Sequence, residues 1–142
     1  MPFVTAMRRG DTLAFTNSDR TRHHVYSFSP IKQFEFVMNP GESSQAVKFD
    51  QPGVGVIGCN IHDKMIAYAF VTEAPFMAPT GADGRAVMTG LAKGRYRVAV
   101  WHPRMTAEAS VAEQTIEAGG TGSFSLPLTA KPAGMHDHQR HY

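Results

Sequence analysis

The chain has 142 residues, of which 42% are hydrophobic and 18% charged, with a formal net charge of +2. That length makes one domain, or one with a small second unit, and the balance is that of a globular chain rather than a disordered one. No long basic stripe is present to neutralise phosphates, which argues against nucleic acid, and no run approaches the roughly 18 apolar residues of a membrane span.

In chain order, alternating β-branched and aromatic runs are punctuated by Gly, Pro, Asn and Asp, and helical periodicity is hard to find. This pattern predicts an all-β sandwich or barrel. Val4–Met7 and Thr12–Thr16 are expected strands around the turn Arg9-Gly10-Asp11. His24–Phe28 stops at Ser29-Pro30, and Phe34–Val37 at Asn39-Pro40-Gly41. Ala46–Phe49 stops at Gln51-Pro52-Gly53. Val54–Ile57 leads to Cys59, and Ile66–Val71 follows Met65, so residues 59–65 form a tight loop between two strands. Pro75 and Pro79 mark a seam, and the expected division is 1–73, then a small β unit at 74–129. In that unit Arg85–Met88, Tyr96–Trp101, Gln114–Glu117 and Ser123–Leu128 are expected strands. Residues 130–142 read as a flexible His-rich tail. No segment reads as a signal peptide, so an export signal would lie upstream or have been removed.

The chemistry concentrates in Cys59-Asn60-Ile61-His62-Asp63-Lys64-Met65, which holds the one cysteine of the chain. A lone cysteine forms no internal disulfide and is a buried thiol, a reactive thiol or a ligand. Most lone cysteines are simply buried. Here an imidazole and a thioether follow at loop spacing, and thiolate, imidazole and thioether together suit copper. A nucleophilic Cys-His pair would leave Met65 unused and lacks an orienting third group. One more imidazole completes a His₂Cys site with a weak axial Met. His23 and His24 offer it, and on a strand only one of the two faces the pocket. His102, at the end of a strand in Trp101-His102-Pro103-Arg104, reads as a structural histidine. His136, His138 and His141 in the tail form a weak metal-collecting cluster, at the cost of ordering the chain.

The stretch from Val4 to Val71 resembles the cupredoxins, small blue-copper proteins. The residues that carry the likeness are Gly10-Asp11, Phe15-Thr16-Asn17, His23-His24-Val25, Gly53 and Cys59-x-x-His62-x-x-Met65. The last spacing is similar to that of amicyanins, with a shorter His-to-Met gap than in plastocyanins. With GRYRVAVWHPR further on, the whole is similar to bacterial plastocyanin-like proteins labelled methylamine-utilization, which add a unit like the carboxypeptidase regulatory domain. The resemblance implies a Greek-key β-sandwich with a small additional C-terminal β unit; the family has a further strand ahead of the one at Val4, and the expectation is that this chain has lost it or that another stretch, such as Tyr96–Leu128, covers the exposed edge.

By the same resemblance one copper, cycling between Cu(I) and Cu(II), is held by His23, Cys59, His62 and Met65. Asn17 lies six residues before His23, as in the family, while His24 stands where the family has Asn. His24, Asn17 and Asp63 are therefore the expected supporting or alternative ligands. The implied protein is a periplasmic or exported one-electron carrier and not an enzyme, working with a redox partner protein. The alternative is a copper-binding or resistance protein that buffers the metal or passes it between a donor and an acceptor. An exposed sheet edge would also allow a homodimer.

Overall fold

The structure, a computed structural model, describes residues 3–59, 65–105 and 111–130. The architecture is all-β, and no helix occurs among the described residues. The strands are β1 (Val4–Arg8), β2 (Thr12–Leu13), β3 (His23–Ser29), β4 (Lys32–Met38), β5 (Val47–Lys48), β6 (Gly53–Cys59), β7 (Met65–Thr72), β8 (Arg95–Val100) and β9 (Ala112–Glu117). The chain divides into two compact units, Met1–Met88 and Thr89–Tyr142. Just past β7, Arg8 Nη2 donates to Pro75 O at 3.2 Å and Ala74 N to Thr72 Oγ1 at 3.0 Å.

The first unit is a sandwich. A five-stranded sheet runs β1-β7-β6-β3-β4, antiparallel throughout except for the parallel pair β1–β7. The antiparallel pair β2–β5 forms the second sheet. The chain leaves the large sheet after β4, passes through β5 and returns as β6 beside β3, which is a Greek-key path. Met7, Val25, Ile57, Ala69 and Val71 of the large sheet pack with Phe15, Val47 and Phe49 from the other side. Burying these side chains supplies the main driving force of this unit, at about 25 cal/mol per Å² of apolar area.

The strands form where alternation places an apolar stripe inward. In β3, His23, Val25 and Ser27 are buried, while Phe28 is exposed. In β4, Phe34, Phe36 and Met38 turn towards the core and Gln33, Glu35 and Val37 towards solvent. Ser29 pairs with Lys32, so Pro30-Ile31 is a two-residue turn. Ser27 Oγ locks it by donating to Lys32 O at 2.9 Å and accepting from Ser29 N at 3.3 Å. Gly53 takes φ +136, and a Cβ there would lie 2.8 Å from Ile31 Cγ2, so both backbone and space call for glycine.

The expected Thr12–Thr16 and Ala46–Phe49 strands shrink to two residues each. The pairing does not vanish: Ser44 N still donates to Phe15 O at 2.8 Å and Phe49 N to Asp11 O at 2.9 Å, and a side chain joins in. Phe15 N donates to Ser44 Oγ at 3.0 Å, and Thr16 forms an isolated bridge with Ser43.

In the second unit β8 and β9 form one antiparallel ladder from Arg95↔Glu117 to Val100↔Ala112. Ser123–Leu128 is not a strand, nor is Arg85–Met88 at the end of the first unit. Val87 is exposed, and no strand pairs with it among the described residues. Pro127 lacks an N–H for a ladder. Only Leu128 bridges, to Met105, backed by Thr129 N donating to Arg104 O at 2.7 Å.

Candidate metal centre

The end of the first unit is built by two pairings. Cys59 stands opposite Val25 on one side and opposite Met65 on the other. Directly paired residues share a face, and His23 shares Val25's face because it lies two residues away. His23, Cys59 and Met65 therefore rise from the core-facing side of three neighbouring strands at one rim. His23 is buried, Cys59 half-buried and Met65 exposed, so the group grades from core to solvent. His62 and Asp63, expected as ligand and supporting residue, lie outside the described residues, as do His136, His138 and His141.

The key distance is between His23 Nδ1 and Cys59 Sγ, at 3.3 Å. Nitrogen and sulfur donors bound to one ion at about 2.0 and 2.3 Å sit roughly 3.5 Å apart at a tetrahedral angle. The observed pair is thus within a few tenths of an ångström of sharing an ion. Its chemistry, imidazole with thiol and a thioether nearby, suits copper. The described residues contain no group of three or more His, Cys, Asp and Glu side chains placed to hold a metal. They place an imidazole 3.3 Å from a thiol, with a methionine paired opposite that cysteine whose thioether is outside that set of residue types.

His24 takes the opposite face, as alternation requires. Its Nε2 lies 2.6 Å from Glu35 Oε1, and its ring packs on Tyr26 with centroids 5.7 Å apart. Tyr26 in turn lies over Gly58, the residue before Cys59. A Cβ at Gly58 would come within 2.8 Å of the Tyr26 ring and hydroxyl, so the aromatic ring occupies the side-chain space behind the thiol.

Asn17 is buried and every polar group it carries is used. Its N donates to Glu42 O at 2.9 Å, and its O accepts from Gly41 N at 2.8 Å. Its Nδ2 donates to Thr21 O at 2.8 Å and Met38 O at 3.1 Å, and its Oδ1 accepts from Asp19 N at 3.0 Å. Asn17 is therefore a brace that fixes the loop feeding into His23, and its side-chain atoms are engaged elsewhere than at a metal. Sequence reasoning missed Asp19. Its Oδ2 lies 2.7 Å from His23 Nε2. The available signal was its place two residues after Asn17 and four before His23.

His102 sits in the second unit, where its Nδ1 accepts from Arg104 N at 3.1 Å. Burial, and then the charge of Arg104, push its imidazole below the ordinary value of 6.5. The unfolded chain therefore takes up a proton at higher pH than the folded one. This contribution to stability is complete above pH about 6.5 and is lost as pH falls through the lower folded value. Acidification below that point should lower the melting temperature reported by Trp101 fluorescence, and His102→Gln should flatten the dependence. An unchanged slope in the variant would remove His102 from the account.

No protein-family model matches the chain, and no curated protein matches it. Among solved structures it is similar to a purple cupredoxin from Nitrosopumilus maritimus, with 24% identity, 50% of this chain and 79% of that one covered, and a TM-score of 0.45.

Proposed function

We propose that the first unit binds one copper ion through His23, Cys59, His62 and Met65 and carries single electrons between redox partners in an exported compartment. The observation that carries this reading is the 3.3 Å approach of His23 Nδ1 to Cys59 Sγ at a sandwich rim, with Met65 paired beside Cys59. Bound copper supplies a one-electron couple between Cu(I) and Cu(II). The protein's part is to hold a thiolate, imidazoles and a thioether in one arrangement that serves both states. His23 and Cys59 stand on adjacent strands of one sheet, so the backbone ladder fixes their separation. The Tyr26 ring closes the outer side behind Cys59. Electron carriage of this kind asks for no substrate cavity and no general acid or base. No helix among the described residues is long and apolar enough to cross a membrane.

The test is a titration of metal-free protein with Cu(II). One equivalent should produce an intense visible thiolate band, absent in Cys59→Ala. Reversible one-electron reduction at one copper per chain supports the carrier. Several coppers per chain, falling to one when residues 135–142 are deleted, would support buffering instead. A colourless protein that takes up Zn(II) stoichiometrically would sink both copper readings.

A further inference from the structure

We infer that Asp19 is a positioning residue for this centre, keeping His23 Nδ1 turned towards Cys59 and lowering the reduction potential through its charge. The inference rests on the copper reading above and adds a residue that neither the ligand spacing nor the family likeness marks. His23 is in contact at both ends of its ring. Nδ1 is 3.3 Å from Cys59 Sγ, and Nε2 is 2.7 Å from Asp19 Oδ2. A carboxylate beside Nε2 holds the ring proton there and leaves the lone pair of Nδ1 facing the thiol.

Asp19 is 63% exposed at its side chain, yet it is not a loose surface carboxylate. Its own N–H is bound by Asn17 Oδ1 at 3.0 Å, and Asn17 is anchored to Thr21 O and Met38 O. Met38 pairs with His23 across β3–β4. The carboxylate and the imidazole are thus tied to the same piece of sheet by a closed circuit of bonds.

The Asp19 carboxylate stands 2.7 Å from Nε2, so besides orienting the ring it acts on it as a nearby negative charge. Such a charge favours Cu(II) over Cu(I), since Cu(II) carries the additional positive charge. Because the carboxylate is solvent-exposed, the influence is screened by salt, with a Debye length of about 10 Å at 0.1 M and 3 Å at 1 M.

Asp19→Asn keeps the shape and the backbone N–H while removing the charge. In the full chain it should weaken Cu(II) binding about tenfold in chelator competition. Cu(I) binding should change less. If Cu(I) affinity were unchanged, tenfold corresponds to a rise of about 59 mV in the one-electron potential. The difference from wild type should shrink in 1 M salt, and Asp19→Glu should restore part of it. A merely structural role would lower the melting temperature of metal-free protein without a salt-dependent potential. Wild-type protein that binds copper, with Asp19→Asn identical in affinity and potential, would overturn the role of Asp19 alone. Wild-type protein that takes no copper would overturn the copper reading and this inference together.

Discussion

Under the copper reading proposed above, replacing His23 by alanine should abolish copper binding, whereas replacing His24 should not. The two residues are neighbours in sequence but lie on opposite faces of β3. His23 Nδ1 faces Cys59 Sγ, while His24 Nε2 meets Glu35 Oε1 at the surface. Loss of supporting groups around a metal commonly costs 10–100-fold in affinity, so loss of a direct donor should exceed about 100-fold. His23→Ala should therefore abolish the visible thiolate band at stoichiometric Cu(II). His24→Ala removes a partner of an exposed carboxylate, and such surface pairs contribute about 0–1 kcal/mol. Its copper affinity should stay within about threefold of wild type, well below the cost of a lost supporting group. Chelator competition on both variants decides the matter. Retention of copper in His23→Ala with loss in His24→Ala would reverse the assignment and require the face of β3 to be flipped.

The largest loss of stability should come from Phe49→Ala. Phe49 is fully buried, and its ring meets Phe34 edge-on with centroids 6.5 Å apart. Its backbone is held too, N donating to Asp11 O at 2.9 Å and O accepting from Gly10 N at 2.7 Å. The backbone at this position would therefore persist and leave a cavity that the two sheets cannot easily collapse. Truncations of this kind cost about 3–5 kcal/mol. For a unit of this size that lowers the melting temperature by well over about 10 °C. Phe49→Leu keeps most of the volume and should cost less than half as much. Urea unfolding of both variants tests this, and a Phe49→Ala midpoint near wild type would mean that the second sheet is not packed on the first.

Much of the fold was legible because strand alternation is a strong local signal. β3, β4, β6 and β7 appear where their apolar stripes predicted them, each extended by residues whose pairing depends on a neighbour. The failures are of one kind. Thr12–Thr16, Ala46–Phe49, Arg85–Met88 and Ser123–Leu128 have strand-like composition, but a strand exists only against a partner. Where a serine side chain replaced a ladder bond, as Ser44 does for Phe15, the strand shortened. Where no partner came, as at Val87, none formed.

The centre shows the same division. The candidate donor types, a thiol, imidazoles and a thioether, could be read from residues 59–65 and 23–24, since chemistry is written in residue type. Which histidine faces the thiol depends on register, and the sequence alone left that open. Asn17 was marked by its spacing, but its work as a brace emerges only from the carbonyls of Thr21 and Met38. Asp19 was silent because one exposed aspartate in a polar loop looks like any other.

The parallel pairing of β1 with β7 sets an order of events in time. Val4 lies opposite Tyr68 and Arg8 opposite Thr72, so β1 has no lasting partner until β2 to β6 and then β7 have emerged from the ribosome. At about 5–20 residues per second that wait is a matter of seconds. His23 and Cys59 are likewise brought together only by the pairing of β3 with β6, a long-range contact that forms slowly. During the interval the thiol is not yet held beside His23. Until β3 and β6 pair, the chain keeps His23 and Cys59 apart, and once they pair it holds them 3.3 Å from each other.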